Sequence, residues 1–133
     1  SYAQRRLWFL SRLEGPSSAY NAPVVLRLDS MPDPGVLEAA VRDVVGRHEV
    51  LRTVYPARDG EPYQRIVDAP EVRFEVERGV PGGEVEARAT EYARTAIDVT
   101  AELPLRVRLF GVEGGTAVLV LLVHHIATDG WSV

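Results

Sequence analysis

Three side chains able to move a proton or hold a metal lie within seven residues near the end of this chain: His124-His125-Ile-Ala-Thr-Asp129-Gly130. They follow the run Thr116–Val123, apolar from Ala117 onward. A run of that kind reads as a strand buried on both faces. Two imidazoles and a carboxylate at its end cost free energy unless each finds a partner. An imidazole there is suited to acid–base work, or to orienting a reacting group by hydrogen bonding. Neighbouring strand residues point to opposite faces, so His124 and His125 cannot both reach one centre unless the strand breaks between them. His125 would share a face with Val123 and Leu121, and His124 with Leu122 and Val120. One imidazole can face open space while the other packs inward; alternation does not say which. The same opposed directions make His124, His125 and Asp129 a poor metal site, and none is expected. By ordinary residue frequencies, a chance His-His-x-x-x-Asp-Gly in a chain this short is on the order of one in several thousand.

The elements that must position these groups follow from patterning. Ser1 and Gln4 have capping-box spacing, predicting a helix that carries Leu7, Trp8, Leu10 and Leu13 and stops at Gly15-Pro16. A polar connection, Ser17 to Pro23, leads to a strand over Val24–Asp29. Asp33-Pro34 predicts an N-cap with Pro at N1. The following helix places Leu37, Ala40, Val41, Val44, Val45 and His48 on one face, so His48 is expected in the core. Leu51–Tyr55 and Pro62–Val67 read as strands joined through Asp59-Gly60. Val72–Val76 alternates. Gly82-Gly83 precedes a helix whose stripe is Val85, Ala89, Tyr92, Ala93 and Ala96. Leu105–Val112 is a strand with Leu105, Val107 and Leu109 on one face and Arg106 and Arg108 on the other. Gly114-Gly115 turns it into the last apolar strand. The mixture predicts an α/β fold, an α+β sandwich of a mixed sheet with helices packed on it.

Composition narrows the function classes. The 133 residues suffice for one domain, and 46% hydrophobic with 26% charged residues is ordinary globular composition. A net charge of −4 argues against a nucleic-acid partner. No polybasic segment or long apolar run points to a membrane. The absence of cysteine excludes disulfides and thiolate metal sites and fits a reducing cytoplasm. The chain starts without Met and stops inside a motif, so it reads as a piece of something longer.

Three segments, in order, resemble the core motifs of the condensation domains of nonribosomal peptide synthetases, within the chloramphenicol-acetyltransferase-like superfamily. Ser1-Tyr-Ala-Gln-Arg-Arg-Leu-Trp-Phe-Leu10 is similar to the first, Arg47-His-Glu-Val-Leu-Arg-Thr-Val-Tyr55 to the second, and Val123-His-His-Ile-Ala-Thr-Asp-Gly-Trp-Ser132 to the third, the HHxxxDG motif. Tyr20-Asn21-Ala22-Pro23 and Leu103-Pro104-Leu105-Arg106 sit where the family carries similar signatures. The resemblance implies that residues 1–133 are the N-terminal lobe of a two-lobed domain whose C-terminal lobe is absent here.

The implied chemistry is acyl transfer in secondary metabolite biosynthesis. An acceptor aminoacyl amine attacks a donor thioester, both carried on phosphopantetheine arms of carrier domains, and no cofactor is bound directly. Donor and acceptor peptidyl carrier domains, the C-terminal lobe and an adjacent adenylation domain are the implied partners. His125 matches the family's catalytic histidine, as base or as orienter of the amine; an α-amine, with a pKa of ~8, is already substantially neutral near pH 7. His124 is expected to hold the loop through the backbone. Asp129 is expected to pair with Arg52 as a structural ion pair, and Gly130 to admit close approach of the arm or the reacting carbonyl. Arg5 and Arg47 default to solvated charge and Trp8 to core. The motif details look most like the subtype joining an L-donor to an L-acceptor. Two alternatives stand: a CoA-dependent acyltransferase of the same superfamily, and a non-catalytic platform that recruits a tailoring enzyme, a kind that usually loses the histidine pair.

Overall fold

The computed structural model describes residues 2–14 and 17–127. A four-stranded sheet forms the middle layer. Its strands are β1 (Asn21–Leu28), β6 (Arg73–Val80), β7 (Leu105–Val112) and β8 (Ala117–His124), in the order β1-β8-β7-β6. β8 runs antiparallel to both neighbours, whereas β6 and β7 are parallel and joined across a helix, α3 (Val85–Ala93). The sheet is therefore mixed, as expected.

Strand alternation builds two cores. Val118, Val120 and Leu122 of β8 join Phe110 of β7, Ala89 and Tyr92 of α3, and Trp8 of α1 (Tyr2–Glu14) on one face. Leu119 of β8 joins Leu105, Val107 and Leu109 of β7, and Val41 and Val45 of α2 (Pro34–Arg47), on the other. β8 is thus buried on both faces for most of its length; only Leu121 and Val123 are half-buried.

Local signals explain some element ends. The Asp33 carboxylate accepts from the N–H groups of Gly35 (2.8 Å) and Val36 (3.3 Å), with Pro34 opening α2. Asp59 (φ 51°) and Gly60 (φ 76°) make the turn between β3 (Ala57–Arg58) and β4 (Glu61–Pro62). The two longer strands expected here are only short pairs: β2 (Thr53–Val54) meets β5 (Arg65–Ile66), and residues 49–52 form a 3₁₀ turn.

Several residues sit otherwise than their local pattern suggests. His48 is exposed, because α2 stops at Arg47 and His48 is its extended C-cap (φ −122°, ψ 102°), off the apolar stripe. Ala40 is exposed on α2, and Leu13 on α1 is 84% exposed. Ala96 lies beyond the end of α3. The first of the two polar strand residues on β7, Arg106, is buried; it pairs with Glu102 at 2.6 Å and reaches Thr95.

Candidate active site

β8 ends at His124, and residues 125–127 turn into a helix. The strand thus breaks between the two histidines, and strand alternation does not reach His125. The expectation that His125 shares a face with Val123 and Leu121 is replaced by a position at the start of a helical turn.

The break gives the two rings different environments. His124 is 1% exposed, continuing the inward face of Val120 and Leu122. Its Nδ1 accepts the backbone N–H of Ile126 at 3.0 Å, which makes it the side-chain cap of the turn that follows. An accepting Nδ1 places the ring proton of the neutral imidazole on Nε2. Its own N–H donates to the Pro104 carbonyl at 2.8 Å, and the Tyr20 ring lies 5.9 Å from it, centroid to centroid. Burial, and secondarily the neighbouring His125, lowers the His124 pKa to about 4. The ring is therefore a neutral acceptor at physiological pH. His125 is exposed at the mouth of the turn.

The segments around the first two motifs close on the same turn. Gln4 of α1, 7% exposed, donates from Nε2 to the Ile126 carbonyl at 2.8 Å and to the Tyr55 hydroxyl at 3.4 Å. Trp8, one helical turn on, donates from Nε1 to the Tyr55 carbonyl at 2.6 Å. The Tyr55 N–H in turn donates to Val99 O at 2.8 Å. Burial raises the Tyr55 hydroxyl pKa, so it stays a neutral hydrogen-bonding group. Gln4 and Tyr55 were not legible as site residues. The one available signal was position: Gln4 is a polar residue four before Trp8, on the stripe that buries.

Arg52 sits in the 3₁₀ turn after α2 with a largely buried side chain. Its Nη1 donates to Val67 O at 3.4 Å and its Nη2 lies 3.9 Å from Glu49. Its Nε is buried and has no hydrogen-bond partner among the described residues. Asp129 and Gly130 lie outside the described residues. Arg5 pairs with Glu61, and Arg47 with Asp43 at 3.1 Å, both on the surface. Trp8 is core, at 2% exposed. Among the described residues no three His, Asp or Glu side chains converge as metal ligands.

Beside the turn, on the α2 side of the sheet, lies an apolar hollow of about 220 Å3 walled by Val24, Val44, Leu51, Leu121, Val123 and Ala127. A second hollow, of about 390 Å3, lies at the β6 side and is lined by Arg73, Glu75, Glu77, Arg88 and Arg108, which are paired with one another. Chemically, the turn offers one exposed imidazole at a strand-to-helix break whose neighbours Val123 and Ala127 wall the apolar hollow.

The sequence model described as Condensation domain matches residues 1–133. The chain is 48% identical over 133 residues to the probable non-canonical nonribosomal peptide synthetase CymA of Salinispora arenicola, covering all of this chain and 2% of that protein. It is 46% identical over 137 residues to the isonitrile lipopeptide synthase of Mycobacterium tuberculosis, again over its whole length and 6% of that protein. Among solved structures, the X-domain in its complex with OxyB from teicoplanin biosynthesis superposes with a TM-score of 0.81 at 35% identity, over 92% of this chain and 26% of that one. The starter condensation domain of rhizomide synthetase RzmA shares the fold, with a TM-score of 0.82 at 24% identity over 95% of this chain and 32% of that one. This chain therefore spans only a small part, 2% and 6%, of these two curated relatives.

Proposed function

This chain belongs to the condensation-domain family, and from that premise we propose that it is the N-terminal lobe of a peptide-bond-forming condensation domain. The substrates are a donor acyl or peptidyl thioester and an acceptor aminoacyl thioester, delivered on phosphopantetheine arms by two carrier domains. An adjacent adenylation domain loads the acceptor, and the assembly works in the cytoplasm. The acceptor amine attacks the donor carbonyl, the C–N bond forms, and the donor arm leaves as a thiol that takes up the proton the amine gives up.

The observation that carries this reading is the division of labour at the β8 break. His124 is spent on the backbone and held neutral, and His125 alone is presented outward. His125 hydrogen-bonds the amine and takes its proton as the tetrahedral intermediate forms. Arg52, whose buried Nε has no partner among the described residues, is the cation for Asp129, in an ion pair that gives shape. Gly130 admits the arm or the reacting carbonyl. The subtype joining an L-donor to an L-acceptor is the one the motif details favour.

The test is a condensation assay with loaded carrier domains on the intact synthetase. His125→Ala is expected to abolish or strongly reduce product while the melting temperature holds. Asp129→Ala is expected to lower both activity and melting temperature. Near-normal turnover by His125→Ala, with loss in His124→Ala at an unchanged melting temperature, would show that the wrong histidine carries the chemistry.

A second reading has one specific support. The X-domain relative was solved as a complex with OxyB, which supports the reading of a recruitment platform. The intact pair His124-His125 with Asp129-Gly130 favours catalysis. A CoA-dependent acyltransferase is separated from both by assaying soluble acyl-CoA in place of the loaded donor carrier.

A further inference from the structure

Both backbone groups of Ile126 are gripped by side chains. Its N–H is taken by His124 Nδ1 at 3.0 Å and its C=O by Gln4 Nε2 at 2.8 Å. Ile126 itself is fully buried among Trp8, Tyr55 and Leu122. The Ile126 N–H belongs to the peptide plane that follows His125, and the Ile126 C=O to the next plane. Holding both fixes the backbone on the C-terminal side of His125, and β8 fixes it on the N-terminal side. Gln4 reaches this point across 122 positions of sequence, so the bond is purely tertiary.

From this geometry we infer that Gln4 is a positioning residue: by holding the Ile126 carbonyl it sets the direction in which His125 presents its imidazole. The inference rests on the reading of His125 as the reacting histidine. Gln4 touches no substrate in this account. Its amide nitrogen has the two donors this place needs, one for Ile126 O and one for the Tyr55 hydroxyl. Tyr55 is itself held by Trp8 and Val99, so α1 and the segment 53–55 brace the turn from behind. Misplacing a reacting group by about 1 Å costs on the order of 100-fold in rate, so a brace on the neighbouring peptide plane has leverage on turnover.

The experiment uses the intact synthetase with loaded carriers and compares Gln4→Leu, Gln4→Glu, Asp33→Ala and His125→Ala. Gln4→Leu removes the donor and is expected to lower kcat roughly tenfold to 100-fold with little change in KM for the loaded carriers. Gln4→Glu gives a pH readout that packing alone does not. A protonated carboxyl can donate to Ile126 O and an ionised one cannot, so this variant should lose kcat as pH rises, relative to wild type, with the melting temperature recorded at each pH. Among the described residues, Arg5, Tyr55 and Tyr63, which line the small hollow beside Gln4, and His124 and His125 across the turn are the titratable groups around it, and they are common to variant and wild type. Asp33→Ala removes the N-terminal cap of α2, away from the turn, and is expected to lower the melting temperature while leaving kcat near wild type. The inference is overturned if folded Gln4→Leu turns over normally, if Gln4→Glu keeps the wild-type pH profile, or if kcat in Gln4→Leu falls no further than in Asp33→Ala at a matched loss of melting temperature. His125→Ala separates the two layers. Full turnover in that variant overturns the reading of His125 and the role of Gln4 with it. An inactive His125→Ala beside a fully active Gln4→Leu overturns the role of Gln4 alone.

Discussion

At the residue scale, the adjacent histidines differ because one is folded into the backbone and the other is not. The His124 case makes a pH prediction with a definite sign. Its pKa falls from 6.5 to about 4 on folding, so the unfolded chain binds more protons between those values. Stability is then fully present above about pH 6.5 and is lost progressively as pH falls toward 4. The loss attributable to this ring is on the order of 3 kcal/mol. Urea melts between pH 7 and pH 4 measure it, and His124→Asn should flatten that part of the curve. A wild-type curve flat across this window would mean that the ring is not desolvated as described. The Tyr55 and Gln4 pairing works in the opposite manner: both groups are neutral at any working pH and contribute direction rather than charge.

At the element scale, the helix ends and turns show which local signals act alone. The Asp33 cap of α2 satisfies two N–H groups that helix geometry leaves unpaired. Asp33→Ala is expected to cost about 1 kcal/mol, a drop of a few degrees in melting temperature, with activity unchanged because the cap lies at the far end of α2 from Arg52. A thermal melt and the condensation assay, run in parallel, check both halves. The edge strands carry a second contrast. β6 presents Arg73, Glu75 and Glu77, ion-paired with Arg88 and Arg108, and such charges discourage a further strand from adding. β1 presents Val24, Val25 and Leu26, each 45–51% exposed, with Pro23 and Arg27 as the interruptions to its apolar run.

At the scale of the whole molecule, that asymmetry and the apolar hollow beside the His125 turn place exposed apolar surface along one side of the described residues. Residues 1–133 expressed by themselves are expected to self-associate, and Val25→Lys should reduce the association by placing a charge on the open edge. Sedimentation velocity over a concentration series gives the result; a monomer at high concentration would show that this edge is not sticky. The same segment is expected not to condense loaded carriers. In the proposed reaction two tethered substrates arrive at one point from opposite sides, and proximity of that kind needs both walls of the proposed channel. In an open, wet site the hydrogen bonds of His125 are also weakened. Turnover by the segment at the rate of the intact synthetase would show that one wall suffices.

Much of this protein was legible in the order of its residues. Period-2 and period-3.6 patterns predicted β7, β8, α2 and α3, and the Asp33-Pro34 and Asp59-Gly60 pairs predicted a cap and a turn, because these signals act over a few neighbouring residues. The motif spacing pointed to the family and to His124 and His125 together. Sequence could not separate the two rings, since that depended on where β8 stops, and a strand end is set by what packs around it. The end of α2 one residue before His48 was hidden for the same reason, as was the burial of Arg106, whose partner Glu102 comes from the loop before its strand. Gln4 was read as a cap for its own helix because capping is the local use of that residue type. Its bond to Ile126 exists only once α1 lies across the end of β8, and a contact between positions 122 residues apart leaves no local pattern to read.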